Sequence, residues 1–253
     1  MSNDPNATTF GASALRYASA RPRYPAALFD WIADLAPARR LAWDAGCGSG
    51  QATVDLASRF DSVIANDLSA EQIALAPSIP RIEWRVAAAH EMLLPAGGID
   101  AAIAASALHW FDLGRFYPRL LGSLSPAGLF VAFGYGRSVL PATIQKPVLD
   151  AYSDLQPYWS DGNRALWRGY RDLPFPLEEI ESPPFSIELS WTFTQWLDYT
   201  CTWSAYQRYV KETGHDPREK IAEQIGTLWG PGALPVSMPL TIRAGRRPIE
   251  PTR

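Results

Sequence analysis

The chain carries an acid two residues ahead of alternating glycines, Asp44-Ala-Gly-Cys-Gly-Ser-Gly50, and a second acid, Asp67, about 20 residues beyond the first glycine. Gly46, Gly48 and Gly50 would let the backbone pass close to a ligand and leave helix N–H groups facing it. Leu41–Ala45 is apolar, so the loop reads as a sharp turn from a buried strand into a helix. Asp67 ends a second short apolar run, where a carboxylate can accept both hydroxyls of a ribose. The chemistry implied is recognition of a nucleoside-type ligand.

Two ligands fit that layout. A dinucleotide site wants Gly-x-Gly-x-x-Gly, but Gln51 to Thr53 hold no glycine and Gly50 falls one position early. Asp44 is also poorly placed beside a pyrophosphate. An S-adenosyl sulfonium ligand has no phosphate and carries a positive charge and an amino group, both compatible with Asp44. A nicotinamide-dependent oxidoreductase and a plain glycine turn stay as rival readings of the loop.

A second group of reactive side chains follows the apolar run Ile99–Ala105. His109 and Trp110 would stand at the carboxyl end of a central strand, where ligands bind in open α/β sheets. His109 could act as base for a hydroxyl nucleophile; a carboxylate nucleophile needs none, and His109 would then pack or shape the pocket. Trp110 reads as pocket wall or core. The three histidines are widely spaced, with no acids at metal-ligand intervals, and no Gly-x-Ser-x-Gly elbow occurs.

These groups need a scaffold. From Leu41 to Tyr135 the pattern alternates strand and helix through five strands, which predicts a doubly wound parallel sheet. Ser69 and Gln72 have the spacing of a capping box. Residues 1–14 read as a flexible N-terminus, 15–245 as one domain, and 246–253 as a frayed C-terminal tail. Within the domain, 137–184 and parts of 195–230 read as a substrate-covering insertion. Its arginines could hold an acidic substrate and its aromatics a flat one, but interspersed aspartates also allow a solvated charge mix.

The bulk numbers suit one soluble domain. The chain has 253 residues, 47% hydrophobic and 19% charged, with net charge −3. That balance does not favour nucleic acid or a membrane surface. The most apolar stretch is too short to span a bilayer, and no secretory leader is evident. Cys47 and Cys201 suggest reduced thiols and a cytoplasmic setting. Six of the ten tryptophans lie from Trp159 to Trp229, which suggests aromatic pocket walls or a lid packed on the core.

Asp44-Ala-Gly-Cys-Gly-Ser-Gly50 resembles motif I of class I S-adenosylmethionine-dependent methyltransferases, and Asn66-Asp-Leu-Ser-x-Glu-Gln72 resembles their ribose motif. Ala107-Leu-His-Trp-Phe-Asp112, Tyr17-x-x-x-Arg-Pro-x-Tyr-Pro25 and Thr202-Trp-Ser-Ala-Tyr206 resemble the branch of trans-aconitate methyltransferase-like small-molecule enzymes. The resemblance implies a Rossmann-like, mostly parallel seven-stranded sheet with a helical insertion after strand 5. It implies methyl transfer from S-adenosylmethionine to a small-molecule acceptor, with O-methylation of a carboxylate or hydroxyl favoured. A non-catalytic protein that only holds the cofactor is the alternative on this fold.

Carried over residue by residue, the resemblance puts Ala45, Gly46, Gly48 and Gly50 along the methionine part of the cofactor, with Asp44 near the loop. Asp67 binds the ribose, and Leu68 lies against adenine. Ala89 and His90 face the adenine edge; the family usually has an acid where His90 stands, and Glu91 is the nearest substitute. Ser106 and Ala107 sit under the sulfonium. Tyr17 and Arg21 lie over the cofactor, with Arg21 reaching its carboxylate. Trp110, Trp203 and Tyr206 line the acceptor pocket, and no metal is implied.

Overall fold

The computed structural model describes residues 21–248. The expected flexible N-terminus, Tyr17, and residues 249–253 of the expected tail lie outside them.

Helix α1, Ala26–Leu35, begins behind Pro25, whose missing N–H costs nothing at a helix start. It buries Leu28, Phe29, Ile32 and Ala33 along one face. Five parallel strands follow: β1 Leu41–Ala45, β2 Ser62–Asp67, β3 Ile82–Val86, β4 Ile99–Ala105 and β5 Leu124–Tyr135. The intervening helices are α2 Gln51–Ala57, α3 Ala70–Ala74 and α4 Leu113–Ser123. Beyond β5 come α5 Ala142–Ala151, α6 Asp161–Trp167, β6 Glu178–Ile180 and β7 Ser186–Trp191. Helices α7 Phe193–Thr200, α8 Ser204–Thr213 and α9 Arg218–Trp229 precede β8, Leu234–Arg246.

The sheet runs β3-β2-β1-β4-β5-β8-β6, with β7 paired to another part of β8. It is the expected Rossmann-like sheet, with eight strands: three-residue β6 adds a short edge along β8. Strands β1 to β5 are parallel, and β8 runs antiparallel to β5, β6 and β7. Chain order reverses between β1 and β4, and a ligand crevice opens at such a switch point, at the carboxyl ends of the strands. Arg246, expected in a frayed tail, pairs with Leu129 at the end of β8.

Two cores sandwich the sheet. On β5, Leu129, Val131 and Phe133 enter one, and Phe130 and Ala132 the other, as the two-residue period of a strand requires. On β4 the register against β5 shifts between Ile99 and Ala101, and those two residues face opposite cores. Asp100, at that shift, is fully buried. Burial alone would raise its pKa, but hydrogen bonds from Arg40 and Ser125 hold it below the usual carboxylate range.

The segment after β5 forms a cap. Helix α6 packs on the turn Leu108–Trp110 and on β5, and α5 packs on α9. Gly136 and Gly162 permit that close approach: a Cβ on Gly136 would fall 2.7 Å from the Trp167 ring, and one on Gly162 would fall 2.9 Å from the His109 ring. No helix among the described residues is long and apolar enough to cross a membrane.

Candidate active site

A cleft of about 700 Å³ opens where β1, β2, β3 and β4 end, a volume suited to a cofactor-sized ligand. Its floor is the glycine loop. Gly46 and Cys47 both donate backbone N–H groups to the Asn66 carbonyl, at 2.8 and 2.9 Å. The buried Asn66 side chain accepts from Trp43 at 2.7 Å and donates to the Ala87 carbonyl at 3.0 Å, which ties the ends of β1, β2 and β3 together. Gly46 has φ of 71° and no room for a side chain: its Cβ would fall 2.7 Å from that of Ala107.

Asp67 is the hinge between loop and ligand space. One carboxylate oxygen accepts from Gly48 N at 2.8 Å and the other from Ser69 N at 2.9 Å. Each oxygen has a second lone pair, so a bound diol still finds acceptors. Burial raises its pKa, and the backbone donors of Ser69, Gly48 and Leu68 oppose that rise.

The structure brings Gly46, Gly48, Asp67, Leu68, Ala89, His90, Ser106, Ala107 and Trp110 to this cleft. Three loop residues stand behind it instead. Asp44 is fully buried beneath the loop and accepts from Thr53 Oγ1 at 2.6 Å. Burial pushes its pKa up to about 7. Ala45 is buried in β1. Gly50 has φ of 89°, and a Cβ there would fall 2.4 Å from the Trp84 ring, so it shapes the turn rather than meeting the ligand.

Gln72 was legible only as a helix cap. Ser69 Oγ accepts from Gln72 N at 3.2 Å, but the reciprocal bond of a capping box is absent. The Gln72 side chain turns into the cleft, where its buried Oε1 has no partner among the described residues. A true capping box forms at Thr192 and Gln195.

A second chamber of about 120 Å³ lies beneath the cap. Ser106, Trp110 and Tyr135 line both spaces and form their junction. Ser106 has φ of 53°, a strained value for a residue with a side chain. Its N–H donates to the Phe133 carbonyl at 2.6 Å, and its hydroxyl bonds the Tyr24 hydroxyl at 3.0 Å. Gly134 leaves space for it, since a Cβ there would fall 2.8 Å from Ser106 Oγ. Arg21 lines this chamber rather than the cleft: it donates to the Tyr135 hydroxyl at 3.1 Å and to the Thr202 carbonyl at 3.2 Å.

The chamber walls are aromatic. Trp159 meets Trp167 edge-on at 4.9 Å and Trp203 at 5.5 Å. Arg137 stacks over the Trp167 ring at 5.1 Å. Trp203 takes its expected place on the wall, but Tyr206 does not: it is buried on another face of α8, where its hydroxyl donates to Asp216. Asp216 precedes α9 and also accepts from Arg218 N at 3.0 Å, while Pro217 occupies the cap position.

His109 lines the chamber, but its surroundings make it a poor base. Burial pushes its pKa down to about 4, so the ring is neutral near pH 7 and holds a proton weakly. Nδ1 lies 2.8 Å from the Tyr170 hydroxyl. Burial raises the Tyr170 pKa, so that phenol keeps its proton.

Comparison with known proteins identifies the family. A family model of a methyltransferase domain matches residues 43–132, from β1 through most of β5. A Dictyostelium discoideum protein named as a methyltransferase is 30% identical over 221 residues, covering 85% of this chain and 84% of its own length. A solved structure described as a type II methyltransferase from Anaeromyxobacter dehalogenans is 42% identical with a TM-score of 0.83, covering 90% of this chain and 98% of that one. The [4+2]-cyclase SpnF superposes with a TM-score of 0.54 at 13% identity over 96% of each chain, a likeness of fold alone. The domain match and the near full-length relative lead to one assignment: the chain belongs to the methyltransferase family.

Proposed function

We propose that this protein transfers the methyl group of S-adenosylmethionine to an oxygen of a small molecule, as enzymes of the trans-aconitate methyltransferase-like branch do. The observation that carries this reading is the junction: a cofactor-sized cleft and a smaller aromatic chamber share Ser106, Trp110 and Tyr135. Methyl transfer is an in-line displacement, so donor and acceptor must meet across one short wall.

The residues of the cleft fit the cofactor. Asp67 keeps lone pairs for ribose hydroxyls, and Leu68 is an exposed apolar shelf for a flat base. The unpartnered Gln72 Oε1 supplies an acceptor beside Gly48. Bound there, S-adenosylmethionine supplies an electrophilic methyl group. Ser106 and Tyr135 then border the point of transfer, and the cap shields it from water. Neither a carboxylate nor a hydroxyl acceptor is served by a strong base at His109.

Calorimetric titration with S-adenosylmethionine and with NAD, side by side, tests the cofactor. Saturable binding of S-adenosylmethionine alone is expected. Tighter binding of NAD would move the protein to the oxidoreductase reading, and cofactor binding without S-adenosylhomocysteine formation across an acceptor panel would favour a binding protein.

A further inference from the structure

We propose that the chamber selects a planar, single-ring carboxylic acid, and that the carboxylate of that acid is the methyl acceptor. The proposal rests on the reading of the cleft as the S-adenosylmethionine site and adds the chemistry of the other substrate.

Size is the first argument. The chamber's volume of about 120 Å³ compares with the roughly 150 Å³ apolar cavity that is known to hold benzene. One six-membered ring fills it, with a small substituent directed at the junction. A fused bicycle exceeds that volume and is expected to bind more weakly.

Shape is the second. Trp159 meets Trp167 at 69° and Trp203 at 50°, so ring faces and edges bound a slot rather than a sphere. Aromatic rings prefer edge-to-face or offset contact with such walls, which favours a flat guest.

Charge is the third. Arg21 and Arg137 both line the chamber, and no aspartate or glutamate is among its described lining residues. The neighbouring His109 is neutral near pH 7 and adds no charge of its own. Guanidinium groups at the wall of an apolar pocket favour an anion with planar, paired oxygens. Arg21 is held against Tyr135, so its charge stands at the junction, where a nucleophile must wait. Arg137 is exposed at the rim and stacks on Trp167. It guides the anion inward.

The chemistry of the step agrees with what the junction lacks. A carboxylate attacks with a lone pair that carries no proton. The O–CH3 bond forms as the S–CH3 bond breaks, and the breaking pair stays on sulfur. A negative acid and a positive sulfonium become a neutral ester and a neutral thioether, and no proton moves. A phenol or alcohol acceptor would have to lose a proton to a base. Ser106, Trp110 and Tyr135 are not strong bases, and Nδ1 of His109 is engaged with Tyr170.

The test uses the full chain with benzoate, benzamide, phenol and 2-naphthoate as probes. Binding is followed by tryptophan fluorescence and methylation by mass spectrometry of the product. Benzoate is expected to quench saturably and to give methyl benzoate, with each other probe at least about tenfold poorer in kcat/KM, a difference set by one desolvated charge pair or one excluded ring. Arg21→Gln is expected to lower kcat/KM for benzoate about tenfold or more while the Kd for S-adenosylmethionine stays within about twofold, and Arg21→Lys to recover part of the loss. Arg137→Gln, at an exposed position, is expected to cost about threefold, mostly in KM. The proposal fails if phenol or benzamide is methylated as well as benzoate, if 2-naphthoate is preferred, if benzoate gives neither quenching nor ester, or if folded Arg21→Gln keeps full activity on benzoate. Calorimetry with S-adenosylmethionine separates the two readings. A protein that does not bind it loses the parent function, whereas one that binds it and rejects benzoate loses only the acceptor class.

Discussion

The cleft and the chamber are built in opposite ways. The cleft draws its key groups from short runs: the glycine loop, the end of β2 with Asp67, and the stretch from Ser106 to Trp110. The chamber gathers Arg21, Tyr135, Trp159, Trp167, Trp196 and Trp203 from distant parts of the chain. A loop at a strand end is placed by backbone hydrogen bonds to its neighbouring strand, as Gly46 and Cys47 are by Asn66. A wall made of a cap is placed by packing between helices that share no local pattern. Under the proposed function, donor recognition is therefore local chemistry on a standard sheet, and acceptor recognition belongs to the tertiary fold.

That contrast predicts which changes separate the two functions. The largest effect is expected at Asp67, which ties the loop and faces the ligand. Asp67→Ala should weaken S-adenosylmethionine binding about 10- to 100-fold, the loss of one or two hydrogen bonds to a charged group; near-normal affinity by calorimetry would count against the ribose role. Trp203→Leu should act on the other side. It should cut acceptor kcat/KM about tenfold by loosening alignment at the junction, with cofactor affinity nearly unchanged. A parallel loss of cofactor affinity would erase the division between the two spaces.

Smaller effects sharpen the assignment. Gln72→Leu removes the unpartnered acceptor in the cleft and should weaken cofactor binding about fivefold, the worth of one neutral hydrogen bond; if the folded variant binds as tightly as the parent, Gln72 is only a packing residue. His109→Gln should change turnover by no more than about threefold and leave the profile flat between about pH 6 and pH 8, because the ring does not titrate there. A large drop in kcat with a lost basic limb would restore His109 as the base.

The last effect concerns stability. Burial raises the Asp44 pKa to about 7, so the folded protein keeps a proton that the unfolded chain releases near pH 4. The stability this contributes is whole below that range and is lost as pH rises through about 7. Asp67 shifts in the same direction. Thermal melts without ligand should fall between about pH 4 and pH 7, and Asp44→Asn should reduce that slope. An equal slope in the variant would remove Asp44 as the source.

Much of this was legible in the chain. The alternation from Leu41 to Tyr135 predicted the parallel sheet, because buried strands are continuous apolar runs and parallel neighbours require crossovers. The glycines and Asp67 announced the cleft because backbone geometry and a carboxylate at a strand end act over a few residues. The finer assignments differed. Asp44, Ala45 and Gly50 share the loop's sequence but lie behind its surface, because Asp44 and Ala45 still belong to buried β1 and Gly50, at the start of α2, packs against the Trp84 ring. Arg21 faces the chamber and Tyr206 faces Asp216, because both depend on how the cap settles.

By itself, then, the amino-acid order determined a Rossmann-like sheet and a glycine loop at its switch point, since both follow from periodicity and local backbone freedom. Only the tertiary structure decided that Ser106, Trp110 and Tyr135 divide two spaces, that Gln72 turns into the cleft, and that His109 is neutral under the cap. Those outcomes depend on burial and on contacts between segments far apart in the chain, which no local pattern encodes.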